Sequence, residues 1–137
     1  MPDNRLRVFV VENSQILAKR IVERLTADAR IDLVGLASDA AKAISEVRRL
    51  RPDLLIVDIA LTVRGGGFEV LRAFATELAK GSMTAIVFTH HSSLPYRDAA
   101  IRLGARHFFD KSEDLMRLIK EVANLADHAG RRTGSEG

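Results

Sequence analysis

Five positions in this chain carry side chains able to do chemistry, and each stands at or just past the end of a short apolar run. Glu12 and Asn13 follow residues 7–11, Asp58 closes the run 54–57, Thr89 closes residues 84–88, and Lys111 lies just beyond 107–109. A carboxylate at the end of a buried strand can be a nucleophile, a metal ligand or a cap for the following turn. An amide and a hydroxyl add oxygen ligands and hydrogen-bond donors, and an ammonium adds a point charge suited to anionic oxygens. Each group alone has a structural explanation: acids and Asn cap helices, Thr favours strands, and Lys is usually solvated. Their recurrence at successive strand ends is what points to a site.

The elements that must position these groups are legible from periodicity. The stretch Leu54-Leu55-Ile56-Val57 follows Pro52 and is apolar throughout, as expected of a strand buried on both faces. Residues 7–11, 33–37, 84–89 and 107–109 read as further strands. Between them, apolar residues recur at helical spacing: Ile16, Leu17, Ile21, Val22 and Leu25 after an N-cap at Ser14; Ala40, Ala43, Ile44, Val47 and Leu50 after Ser38 or Asp39. A third helix runs from Phe68 to about Lys80-Gly81, a fourth from Ser93-Pro95 to Leu103 with Gly104 as its cap, and a last one carries Leu115, Leu118, Ile119, Val122 and Leu125. Strand and helix alternate five times with short connections. The pattern predicts an α/β fold, a doubly wound five-stranded parallel sheet with five helices and right-handed crossovers. The carboxyl ends of its strands then share one rim, where such sheets place their ligands.

Composition narrows the class. At 137 residues the chain is one domain, expected over residues 1–128, with a polar, small-residue tail over 129–137 expected to be disordered. Without cysteine there is neither a disulfide framework nor thiolate chemistry. No apolar stretch approaches a membrane span and the N-terminus lacks a signal-peptide pattern, so a cytoplasmic protein is expected. The formal charge of +3 comes from basic residues scattered along presumed polar helix faces, and aromatics make up 5% of the chain, so nucleic acid is not an expected partner.

The sequence resembles the receiver domain of two-component response regulators over roughly residues 5–126. The resemblance rests on Val10-Val11-Glu12-Asn13, on Pro52-Asp53 through Asp58, on Val87-Phe88-Thr89, and on Gly104-Ala105 leading to Phe108-Phe109-Asp110-Lys111, in that order and at the family's separations. It implies the flavodoxin-like receiver fold and assigns Asp58 as phosphoacceptor, taking a phosphoryl group from a sensor histidine kinase or a histidine phosphotransfer protein. Mg²⁺ would be held by Asp58, by Glu12 or Asn13, and by the backbone carbonyl of Ala60. Lys111 would neutralise the phosphoryl oxygens, Thr89 would move onto them, and Phe108 would be the aromatic switch. Its alternative role is that of an ordinary core Phe. The output would be a phosphorylation-dependent partner, docked on the face built from the fourth helix, fifth strand and fifth helix. Tyr96, Ala100, Ile101 and the stripe from Leu115 are candidate contributors. A homodimer is left open.

The chain departs from the family at several points. Asn13 stands where a second acid is usual, which predicts weakened Mg²⁺ binding because an amide oxygen ligates without a formal charge. Thr62 replaces a proline, and Gly65-Gly66-Gly67 delays the glycine that opens the third helix; we read the run as a turn in preference to an anion nest. Ser112 replaces the proline that follows the lysine, with Ser112 or Glu113 then opening the last helix. His90 and His91 follow Thr89, where they could cover the pocket or tune loss of the phosphoryl group.

Three kinds of function compete. The leading expectation is a stand-alone receiver, a phosphorylation-gated binding module and not an enzyme. The alternative is a divergent receiver acting as a phosphorylation-independent interaction module, for which Asn13, Thr62 and Ser112 argue. Other enzymes fit poorly. An aspartyl phosphohydrolase would want an acid where Ala60 stands, a P-loop needs Lys and Ser or Thr where Phe68 follows Gly67, and a flavin site needs more rim aromatics.

Overall fold

The computed structural model describes residues 4–60, 66–112 and 115–136, with side chains as far as Gly130. Thr62, Arg64, Gly65 and Glu113 therefore lie outside the described residues. Five strands, β1 (Leu6–Val11), β2 (Ile31–Ala37), β3 (Leu54–Val57), β4 (Thr84–Thr89) and β5 (His107–Asp110), pair in the order β2-β1-β3-β4-β5. Every pairing is parallel. The expected doubly wound sheet is thus present, with β3 at its centre.

Alternation along the strands divides the core in two. Phe9, Val11, Leu55, Val57, Ala85 and Val87 point to one face, and Val8, Val10, Leu54, Ile56, Ile86 and Phe88 to the other. The second face is covered by α1 (Gln15–Thr26) and α6 (Leu115–Glu136), through Ile21, Leu25, Leu118 and Val122. The first is covered by α2 (Ala40–Leu50), α3 (Gly66–Ala73), α4 (Ala75–Lys80) and α5 (Leu94–Arg102). Burial on both faces explains why β3 contains no polar residue before Asp58: all four of its side chains are buried.

The described residues contain six helices where periodicity predicts five. The expected third helix breaks at Phe74, whose φ of −115° and ψ of 25° leave the helical region. The Phe74 N–H donates to Leu71 O at 3.2 Å, a bond three residues back, and this tightened turn re-aims the chain while the Phe74 ring stays in the core. The helix of the family's docking face therefore becomes α5, and the last helix α6. β2 begins at Ile31, two residues earlier than the apolar run suggests, because its first pairs, Leu6 with Ile31 and Arg7 with Asp32, include a polar residue. The backbone of α6 is helical to Glu136. Once a helix is anchored by core residues such as Leu118, Val122 and Ala126, each further residue adds a hydrogen bond at little nucleation cost.

Two local devices fix the start and the end of β3. At the start, the Arg7 guanidinium donates to Leu50 O at 2.7 Å and to Arg51 O at 2.9 Å, closing the C-terminus of α2, while the Arg7 N–H donates to Asp53 Oδ2 at 2.9 Å. At the end, Gly67 packs against the chain just past the strand. A Cβ there would collide with the Asp58 carbonyl oxygen and lie 2.8 Å from Ile59 Cα, so only glycine allows α3 this close. The last member of the triple-glycine run therefore has a packing role, and Gly66 and Gly67 form the first residues of α3 where the sequence suggests a turn.

Candidate functional site

The carboxyl ends of β1, β3, β4 and β5 bring Glu12, Asn13, Asp58, Thr89 and Lys111 to one rim. Asp58, immediately after β3, is 3% exposed, Glu12 is 4% exposed, and Thr89 is fully buried. The Lys111 side chain is 5% exposed, and its Nζ lies 2.5 Å from Asp58 Oδ2 and 2.8 Å from Glu12 Oε1. Two carboxylates and one ammonium thus form a buried cluster of formal charge −1. Ions taken this far out of water are tolerated only when paired and hydrogen-bonded. The remaining bonds are present: Asp58 Oδ1 accepts from the Ala60 N–H at 2.8 Å, and Glu12 Oε2 accepts from the Ser14 N–H at 3.0 Å.

Lys111 is held from its backbone as well, since its N–H donates to Thr89 O at 2.9 Å. The Thr89 hydroxyl accepts from the His91 N–H at 3.2 Å. The Lys111–Ser112 peptide is trans, there being no cis peptide bond among the described residues. Asp110 Oδ1 accepts from the Ser112 N–H at 2.8 Å and from the Ser112 hydroxyl at 2.6 Å. The Ser112 hydroxyl and N–H bonds, with the nearby Ser92 side chain and His90 adding to them, hold the Asp110 carboxyl down at about 2. Sequence reasoning gave Asp110 no role. The available signal was local, an Asp two residues before a Ser in a turn.

The rim opens on a cleft of about 520 Å³ lined by Asn13, Ser14, Arg20, Asp58, Ala60, His90, His91 and Lys111, with Ile16 and Leu17 at its α1 side. Arg20 is a second residue that the strand-end pattern did not reveal, because it sits within α1. As a test of fit for a divalent ion, the Asp58 carboxylate, the Asn13 side chain and Ala60 all line this cleft, an oxygen-donor set suited to Mg²⁺ or Mn²⁺. Glu12 is placed differently, with its oxygens engaged by Lys111 and the Ser14 N–H. Among the described residues no group of three or more His, Cys, Asp or Glu side chains is arranged to hold a metal.

Phe108 is 6% exposed and belongs to the core. The Arg97 guanidinium lies 5.5 Å from its ring centroid and donates to its carbonyl at 3.4 Å. Of the expected docking residues, Tyr96 and Ile101 are exposed at 42% and 47%, but Ala100 is fully buried. The Leu115 stripe likewise faces inward, with Leu118 and Val122 fully buried. Ala100 and those two residues fill the core because they lie on the helix faces turned to the sheet; Leu94 and Met116 are exposed apolar residues of α5 and α6.

Comparison with known proteins gives a consistent result. The response regulator receiver domain family matches residues 8–123. A protein-glutamate methylesterase/protein-glutamine glutaminase of Koribacter versatilis is 32% identical over 124 residues, covering 89% of this chain and 32% of that protein. The DNA-binding transcriptional activator DevR/DosR of Mycobacterium tuberculosis is 29% identical, covering 92% of this chain and 56% of the relative. The chain thus spans between a third and just over half of these relatives. Among solved structures, the signal receiver domain of a Luxo repressor protein from Vibrio parahaemolyticus superposes with a TM-score of 0.79 at 27% identity, covering 97% of this chain and 98% of that one. The Mn²⁺-bound form of the response regulator Rcp1 shares the fold, with a TM-score of 0.71 at 22% identity, covering 88% of this chain and 91% of that one.

Proposed function

Because this chain belongs to the response regulator receiver domain family, we propose that it accepts a phosphoryl group on Asp58 from a phosphohistidine and signals by phosphorylation-dependent partner binding. In that step an Asp58 carboxylate oxygen forms a bond to phosphorus, the phosphorus–nitrogen bond breaks, and its electron pair returns to the donor imidazole, which takes up a proton. The observation that carries the reading is Lys111, whose ammonium touches the Asp58 carboxylate in a site almost closed to water. A carboxylate meets an anionic phosphoryl group only when positive charge offsets their repulsion, and low exposure makes that charge count. Thr89 supports the next event, since its hydroxyl is fully buried beside the acceptor strand and its backbone carbonyl is tied to Lys111. The group expected at Asn13, Asp58 and Ala60 is Mg²⁺, which would supply further charge neutralisation.

Sensor histidine kinases and histidine phosphotransfer proteins are the proposed donors, and the exposed α5 residues Leu94, Tyr96 and Ile101 are the proposed contacts of the downstream partner. Incubation with Mg²⁺ and acetyl phosphate tests the central step. Intact mass should rise by one phosphoryl group in the wild-type protein and stay unchanged in Asp58→Asn; equal labelling of both would refute it.

A second reading is favoured by Phe108. Its ring is already buried beneath Arg97, the disposition in which a switch aromatic has no inward rotation left to make. A phosphorylation-independent interaction module, with this face constantly presented, follows from that arrangement. Partner binding that is the same for wild type and Asp58→Asn would select it.

A further inference from the structure

Lys111 is the group on which the proposed chemistry turns, and it lacks the proline that follows the equivalent lysine in the family. The residue in that place, Ser112, gives both its N–H and its hydroxyl to Asp110 Oδ1, at 2.8 and 2.6 Å. Lys111 is thereby enclosed in a turn closed by the side chains on either side of it. Asp110 is itself the last residue of β5 and pairs in register with Thr89, the last of β4. The next backbone bond, Lys111 N–H to Thr89 O, continues that pairing past the strand end. Asp110 thus closes the Lys111 turn at the point where that loop is bonded to the end of β4.

The geometry points to Asp110 as the positioning residue of Lys111, an inference that rests on the phosphoacceptor reading of Asp58. It touches no reacting atom. Its carboxylate replaces a rigid ring with a hydrogen-bonded turn, and so keeps the Lys111 stem aimed at Asp58 and Glu12. Placement of the stem matters because the ammonium is buried between the Asp58 and Glu12 carboxylates. Released from the turn, the lysine has a flexible four-carbon stem and water nearby to solvate it.

The test compares wild type, Asp110→Ala and Asp110→Asn with two readouts. The first is the ¹H–¹⁵N signal of the Lys111 ammonium, identified by its absence in Lys111→Arg and kept in slow exchange by burial and pairing. The second is the rate of Asp58 labelling by acetyl phosphate with Mg²⁺. In Asp110→Ala the ammonium signal should be lost to exchange and labelling should slow by roughly 10- to 100-fold, the scale of a misplaced catalytic group. Asp110→Asn should recover most of both, since its amide oxygen can still accept from the Ser112 N–H. A wild-type signal and rate in Asp110→Ala would overturn the inference, as would an Asn variant no better than Ala. If Asp110→Ala does not fold, Asp110→Leu, similar in size but unable to accept either Ser112 bond, is held to the same two readouts, with loss expected and wild-type behaviour overturning the inference. If the wild-type protein is not labelled at all, the phosphoacceptor reading fails, and the ammonium signal alone decides the role of Asp110.

Discussion

Restoring the missing acid at position 13 is the perturbation that discriminates most sharply. Asn13 is half-buried and lines the cleft with Asp58 and Ala60, beside a cluster whose formal charge is −1. Asn13→Asp raises that to −2. Two unit charges at ~4 Å interact by about 1 kcal/mol in water and about 4 kcal/mol at an effective dielectric of ~20, and a divalent ion doubles either figure. Dehydration of the new carboxylate and of the ion takes back most of this, leaving about 1.4 to 2.8 kcal/mol, or roughly 10- to 100-fold in affinity. Titration of amide shifts at positions 58–60 with Mg²⁺ measures it directly. The same variant should unfold at lower temperature without Mg²⁺, where three acids face one ammonium, and regain stability as Mg²⁺ is added. A Mg²⁺ affinity within about twofold of wild type would refute the account of this position.

Other consequences follow from single contacts. Gly67→Ala drives a Cβ into the Asp58 carbonyl oxygen and to within 2.8 Å of Ile59 Cα, a clash with the backbone just past β3, and should cost about 1–3 kcal/mol in denaturant unfolding while lowering Asp58 labelling. Asp110 titrates at about 2 in the folded protein against an ordinary 3.8, so its contribution to stability is fully present above pH ~4 and disappears as pH falls towards 2. Acid unfolding of Asp110→Asn should therefore be less steep than wild type in that window, and parallel curves would show the Ser112 bonds to be absent in solution.

Much of this was written in the sequence, because burial on two faces leaves a plain mark. Leu54-Leu55-Ile56-Val57 can only be an interior strand between helices, and that places Asp58 at the rim with Thr89 and Lys111. What escaped has physical causes. Phe74 fits the apolar stripe whether the helix continues or breaks, so periodicity could not register the break at that residue. Ala100, Leu118 and Val122 belong to inward helix faces, and a choice between surface and core needs the sheet's position. Glu12 has acids' usual two options, ligand or partner. Its partner Lys111, whose Nζ donates to Glu12 Oε2 at 3.0 Å, lies 99 positions away in the sequence, beyond the reach of any local pattern. The Asp110 turn is readable from the spacing to Ser112, whereas its register against Thr89 at the end of β4 is not.

The central claim is that positive charge from Lys111 lets a buried carboxylate at position 58 carry a phosphoryl group. Binding of beryllofluoride, a phosphoryl mimic, followed by ¹⁹F resonance in Mg²⁺, tests it most directly. The account predicts a bound signal in wild type, none in Asp58→Ala, and affinity reduced by roughly 100-fold or more in Lys111→Ala, as expected when a charge-assisted bond worth about 3 kcal/mol is removed. Undiminished binding in Lys111→Ala, or a bound signal that survives in Asp58→Ala, would contradict it.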